Sequence, residues 1–133
     1  MPFNHYIECS MFFANIIQEG VPEARRLFEQ SHADQDLLSK RQTPADIVAL
    51  MDASGVSKIC LSAWYRPGKV IFSNEEVAKF TRAFPDRFVG IAGVDLHDPV
   101  GAVKEIEKYV KEEGFKGVRV VPWLWALPPT DRH

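Results

Sequence analysis

The stretch GFKGVRVVPWLW, Gly114–Trp125, decides the fold. Gly114 closes a charged helix, Phe115–Val121 reads as a buried strand, and Pro122 turns the chain into an aromatic loop. A helix–glycine–strand–loop passage is the repeating joint of a parallel α/β protein. In such proteins the loops that follow the strands carry the chemistry.

Working back from this joint, the same punctuation recurs. Asp98 and Pro99 open the preceding helix, with Val103, Ile106 and Val110 expected inward. Its Lys104, Glu105, Lys108, Lys111 and Glu112 are expected in water, with Glu107 and Lys111 as an i,i+4 pair. Before it lies the apolar run FVGIAGV, Phe88–Val94, and before that a helix capped by Ser73 with Glu76, whose Val77, Phe80 and Phe84 share one side. KICLSA, Lys58–Ala63, is a further near-continuous apolar run, which suits a strand covered on both faces. Thr43, Pro44 and Asp46 cap the helix before it, Ile47, Val48, Leu50 and Met51 give its inner face, and Gly55 ends it. Further back, Ser31–Gln42 is a long polar connection, Pro22 opens a helix to about Gln30, and Tyr6–Phe13 is a β-rich first strand.

Strands therefore fall near residues 6–13, 58–63, 88–94 and 115–121, the last three about thirty residues apart with amphipathic helices between. That is the βαβ unit of a parallel sheet. Two architectures fit: a small doubly wound sheet, or the N-terminal part of a (β/α)8 TIM barrel, which takes about 250 residues in full. The closing PPTDRH, with Thr130 or Asp131 as an N-cap, is the approach to another helix and favours the barrel. Residues 1–133 are expected to form one domain, an incomplete barrel.

The composition fits a soluble globular chain: 46% hydrophobic, 26% charged, net charge −2. No basic stripe is present, which argues against nucleic acid and anionic membrane as partners. No apolar run is long enough to span a bilayer, and the N-terminus makes a poor signal peptide, so a cytoplasmic protein is expected. Cys9 and Cys60, both in apolar runs, read as small hydrophobes rather than a disulfide framework.

Candidate site residues follow the strand ends. Trp64-Tyr65-Arg66-Pro67-Gly68 offers aromatics and an arginine suited to a carboxylate, or a simple surface turn. Asp95 and His97 offer a base or a metal ligand, although Asp95 also suits bonding to loop amides and Asp98 is a helix cap. Trp123 and Trp125 can wall a substrate or pack against other structure. Arg119 alternates with Val118 and Val120 along its strand and so points into a barrel whose helices cover the valines. A guanidinium there needs an anionic partner, a structural glutamate or a substrate carboxylate. Dinucleotide, nucleotide-phosphate and zinc-protease motifs are missing, and the four histidines lack metal-ligand spacing.

From Thr43 onward the chain resembles the amidohydrolase-related proteins of the aminocarboxymuconate-semialdehyde-decarboxylase type. TPADIVALMDASGVSKICLSAW, then FPDRFVGIAGVDLHDPVGAVKEIEKYVKEEGFKGVRVVP, then PPTDRH carry the resemblance over roughly two thirds of the chain. It implies a (β/α)8 barrel with a divalent metal, often zinc, acting as a hydrolase, decarboxylase or hydratase on small carboxylated or aromatic compounds. The family's first strand reads I-D-x-H-x-H, its histidines binding metal. Here Ser10 and Phe12 stand at those positions, and Val121 stands where some relatives have histidine before the proline. No metal ligand is therefore identifiable in this chain.

The expected function is hydrolysis or decarboxylation of a small carboxylated or aromatic substrate, with His97 catalytic and Trp64, Arg66, Arg119 and Trp123 around the substrate. Two alternatives stand beside it: a non-catalytic remnant or self-associating module, and a small flavodoxin-like binding domain. Homo-oligomerisation is expected.

Overall fold

The structure is a computed structural model that describes residues 6–8, 29–30, 42–128 and 130. The first strand, β1, is Tyr6–Glu8; the rest of the expected strand to Phe13, including Ser10 and Phe12, lies outside the described residues. So do most of the helix expected from Pro22, of which Glu29 and Gln30 are helical, and residues 31–41 of the long connection.

Helix α1 spans Pro44–Ala53. Its start is fixed by the expected capping box: Asp46 N donates to Thr43 Oγ1 at 3.2 Å, and Thr43 N donates to Asp46 Oδ2 at 2.9 Å. The Thr43 bonds hold the Asp46 carboxyl below the usual carboxylate range. Ile47 and Met51 are buried, whereas Leu50, expected inward, is exposed. Gly55, at φ +68°, ends the helix in the left-handed conformation that a side chain would strain.

Strand β2 (Lys58–Ser62) leads into an antiparallel hairpin, β3 (Trp64–Arg66) and β4 (Lys69–Phe72). The tract from Trp64 to Gly68 is thus not a plain loop: Arg66 pairs with Lys69 around the Pro67-Gly68 turn. Helix α2 (Asn74–Ala83) carries the second capping box, Ser73 with Glu76, and buries Val77, Ala78 and Phe80. Strand β5 is Phe88–Gly93. Helix α3 (Pro99–Ile106), capped by Asp98, continues as a π-helical turn over Glu107–Glu112. Strand β6 is Gly117–Arg119, and Pro122–Trp125 forms a 3-10 turn.

β1, β2, β5 and β6 make one sheet in that order, and every neighbouring pair is parallel. Strand order follows chain order, with no reversal among these strands, as in a barrel wall. A doubly wound sheet would have a switch point, so the flavodoxin-like reading falls.

The sheet has two faces. Ile59, Leu61, Phe88 and Ala92 are buried on the face that packs against α2. On the other, Cys60, Val89, Ile91 and Arg119 are half-buried around a fully buried Ser62. Phe115 lies against Gly90, where a Cβ would stand 2.5 Å from its ring.

Three expectations are corrected. On α3, Val103 is 57% exposed and Val110 is also exposed, while Tyr109 is buried. Tyr109 is the residue of the π turn that packs inward, its ring tilted against Phe115. Glu105, expected in water, accepts a bond from buried Asn74. The strand expected over 115–121 is shorter because Phe115 N donates to Tyr109 O before the sheet, and Val121 begins the 3-10 turn.

Candidate active site

The C-terminal ends of β2, β5 and β6 converge, and the hairpin between β2 and α2 shapes what stands there. β2 bonds β5 as far as Ala63 N donating to Ile91 O, then peels away into the hairpin. Gly93, two residues on, points its backbone groups the same way and has no partner on the β2 side. Asn74 takes that place. Gly93 N donates to Asn74 Oδ1 at 2.8 Å, and Asn74 Nδ2 donates to Gly93 O at 2.9 Å. A second Nδ2 contact reaches Glu105 Oε2 at 2.9 Å. One fully buried carboxamide thus closes the sheet edge and ties α2 to α3. The Tyr65 ring covers Gly93, where a Cβ would come within 2.7 Å of it, and burial pushes its phenol upward.

The Gly93 position pairs with Arg119. With no side chain between them, Arg119 reaches across β5 to β2. Its Nη1 donates to Ser62 Oγ at 2.9 Å, and its guanidinium carbon lies 5.2 Å from the Trp64 ring centroid. Arg119, Ser62 and Trp64 therefore form one cluster on the concave face, where a cation–π contact holds the guanidinium in place. Trp64 is only 5% exposed, and its Nε1–H is buried without a hydrogen-bond partner among the described residues.

The other candidates are set around this cluster. His97 follows β5, exposed, with its ring edge-on to Trp125 at 5.1 Å. Asp95 Oδ1 accepts from the His97 backbone N at 2.8 Å, so the carboxylate orders the loop amide. The 3-10 turn bearing Trp123 and Trp125 packs against β3. Trp123 is 64% exposed while Trp125 is buried. Arg66 stands exposed near the hairpin tip.

Two residues that build this region, one in the cluster and one behind it, are not singled out by the sequence. Ser62 is the one polar side chain at the end of an apolar run, on the side that register gives Arg119. Asn74 is hidden inside a capping signal, and only the topology shows that a strand is lacking beside Gly93.

The amidohydrolase family model matches residues 29–133. The chain belongs to the amidohydrolase family. Solved structures agree on the fold. An uncharacterised TIM-barrel protein from Bordetella bronchiseptica is 20% identical at TM-score 0.60, over 92% of this chain and 44% of that one. A 2,6-dihydroxybenzoate decarboxylase complexed with 2,6-dihydroxybenzoate is 23% identical at TM-score 0.56, over 84% and 37%. A 5-carboxyvanillate decarboxylase from Novosphingobium aromaticivorans, with bound manganese and a nitrobenzoic acid, is 21% identical at TM-score 0.51, over 77% and 38%. This amidohydrolase chain spans less than half the length of each, and its four parallel strands are the N-terminal part of the (β/α)8 barrel.

The metal expected from the family finds no fit among the described residues. Among the described residues, no three His, Cys, Asp or Glu side chains are grouped to hold an ion. Among the described side chains, the hydrogen-bonded pair on this face is a hydroxyl and a permanent cation, and a guanidinium does not ligate a divalent ion. No helix among the described residues is long and apolar enough to cross a membrane.

Proposed function

We propose that the protein carrying this chain binds a small carboxylated aromatic compound at the C-terminal ends of its strands and hydrolyses or decarboxylates it. The observation that carries this reading is the Arg119 guanidinium, anchored by Ser62 and held over Trp64 at the end of β6. An arginine fixed by a hydroxyl and a ring has already lost most of its side-chain freedom, so it spends little entropy in gripping a carboxylate. The decarboxylases of similar fold act on ring carboxylates, which supports the substrate class.

Each remaining residue has a role set by its place. His97 is the exposed proton carrier at the end of β5, its ring steadied by Trp125. Trp123 is the exposed aromatic surface on which a substrate ring can lie. Arg66, at the hairpin rim, draws anions toward the strand ends.

Calorimetric titration of the full protein with benzoate tests the reading. Arg119→Gln should weaken binding by about 10- to 100-fold, the cost of a charge-assisted contact. Unchanged affinity in that variant sinks it. With a turned-over substrate, His97→Gln should lower kcat by about 100-fold or more while leaving KM nearly constant. A change confined to KM removes His97 from the chemistry.

A further inference from the structure

Helix α3 stands between the His97 loop and the π turn, and apolar packing does little to fix it. None of Pro99–Ile106 is buried, and Val100 and Val103 are 68% and 57% exposed. In place of a buried stripe the helix has Glu105, half-buried, whose Oε2 accepts from Asn74 Nδ2 at 2.9 Å. Asn74 also holds both backbone groups of Gly93, the last residue of β5. These bonds close a ring in the chain: from Gly93 through Asp95, His97 and Asp98 into α3, and back through Asn74. Within the ring, Asp95 accepts from the His97 N and Asp98 from the Gly101 N. Both bonds shape the loop locally, and neither ties it to the sheet.

We propose that Glu105 is a positioning residue for His97. Acting through Asn74, it holds α3 to the end of β5 and so sets where the His97 loop stands. This rests on the reading of His97 as the proton carrier. A carboxylate suits the place because of what Asn74 has left to offer. Gly93 N occupies its Oδ1 and Gly93 O takes one Nδ2 hydrogen, so one hydrogen remains and needs an acceptor. A charged acceptor in a half-buried place makes that bond stronger than a neutral pair would. Proton transfer is sensitive to placement, and a displacement of about 1 Å can cost about 100-fold in rate. Loosening the ring therefore costs turnover. Binding is spared, since Arg119 and Trp123 stand on β6 and the turn after it.

The place of His97 can be read directly. Its ring lies against Trp125, so the indole ring current displaces its proton resonances from free-imidazole values. In the full protein labelled with carbon-13 histidine, the His97 signal is identified by its Overhauser contact to an indole ring and by its loss in His97→Gln. The expected result is that Glu105→Ala moves the signal toward the free value, while Glu105→Gln, which keeps an acceptor, leaves it near the parent position. With a turned-over substrate, Glu105→Ala should lower kcat about tenfold at nearly constant KM, and Glu105→Gln should restore most of it. A Glu105→Ala protein that is less stable but keeps the parent His97 signal overturns the proposal, because Glu105 is then only structural. Equal shifts in the Ala and Gln variants overturn it too, because the acceptor is then not the cause. Where Glu105→Ala fails to fold, Glu105→Asp, one methylene short of Asn74, decides by the same signal. His97→Gln with parent kcat removes the proton-carrier reading, and that outcome leaves the position of His97 to be judged by its signal alone.

Discussion

Gly93 has two backbone groups that β2 abandons on entering the hairpin, and Asn74 takes both. Replacing Asn74 with Ala leaves a buried N–H and C=O unpaired and frees Glu105. A loss of about 2–4 kcal/mol is expected, read from urea denaturation. An Asn74→Ala protein as stable as the parent would show that another group closes the edge. Gly90 makes a second such demand, set by volume. A methyl there meets the Phe115 ring at 2.5 Å, so Gly90→Ala should cost about 1–3 kcal/mol. Adding Phe115→Leu should recover part of that loss if the clash is the cause. Neither demand is legible in the sequence. Asn74 reads as the first residue of a capped helix and Gly90 as one residue of an apolar run. Arg119 was legible, because strand alternation puts it opposite the valines whatever lies around it.

At the scale of elements, the helix starts were the most readable features. Thr43 with Asp46, Ser73 with Glu76 and Asp98 with Pro99 all act locally, through bonds made within one turn. The inward face of α3 was not readable, because the Asn74–Glu105 bond is made to a residue of another helix. The same region carries an ionic link between elements. Arg82 of α2 donates to Glu75 at 2.9 Å through Nη1 and to Glu113 at 2.8 Å through Nε. Glu113 and Glu75 are both held below the usual carboxylate range by the Arg82 hydrogen bonds. A depressed folded-state value means that the unfolded chain binds protons first as pH falls. The stabilisation is therefore complete above the ordinary glutamate value, about 4.3, and is lost as pH drops through the lower folded values. Exposure and salt keep the effect small. Carbon-13 titration should find both carboxyls rising toward the ordinary value in Arg82→Ala, with the acid limb of the stability curve flattened. Unmoved carboxyl values in that variant would remove Arg82 as the cause.

For the molecule as a whole, the barrel was legible because the thirty-residue rhythm of strands is a property of the chain, while sheet order and the hairpin inserted after β2 are not. What four strands of a barrel leave uncovered then becomes a physical question. Among the described strands, β6 stands at one end of the sheet, and its outward Val118 and the following Val120 are 43% and 39% exposed. In a closed barrel such residues lie beneath a helix and the strand edge is paired. An edge with apolar side chains and unpaired backbone groups recruits another strand. Residues 1–133 expressed alone should accordingly self-associate, with mass by light scattering rising with concentration and with binding of a hydrophobic dye. Val118→Lys with Val120→Lys should suppress both signals, since two cations on the patch repel an incoming copy and favour water. These lysines leave Ser62, Trp64 and Arg119 in place, so circular dichroism should be retained. A monomer that ignores the dye at all concentrations would show that the outer face of β6 is covered from within this stretch of chain, and the self-associating reading would fall with it.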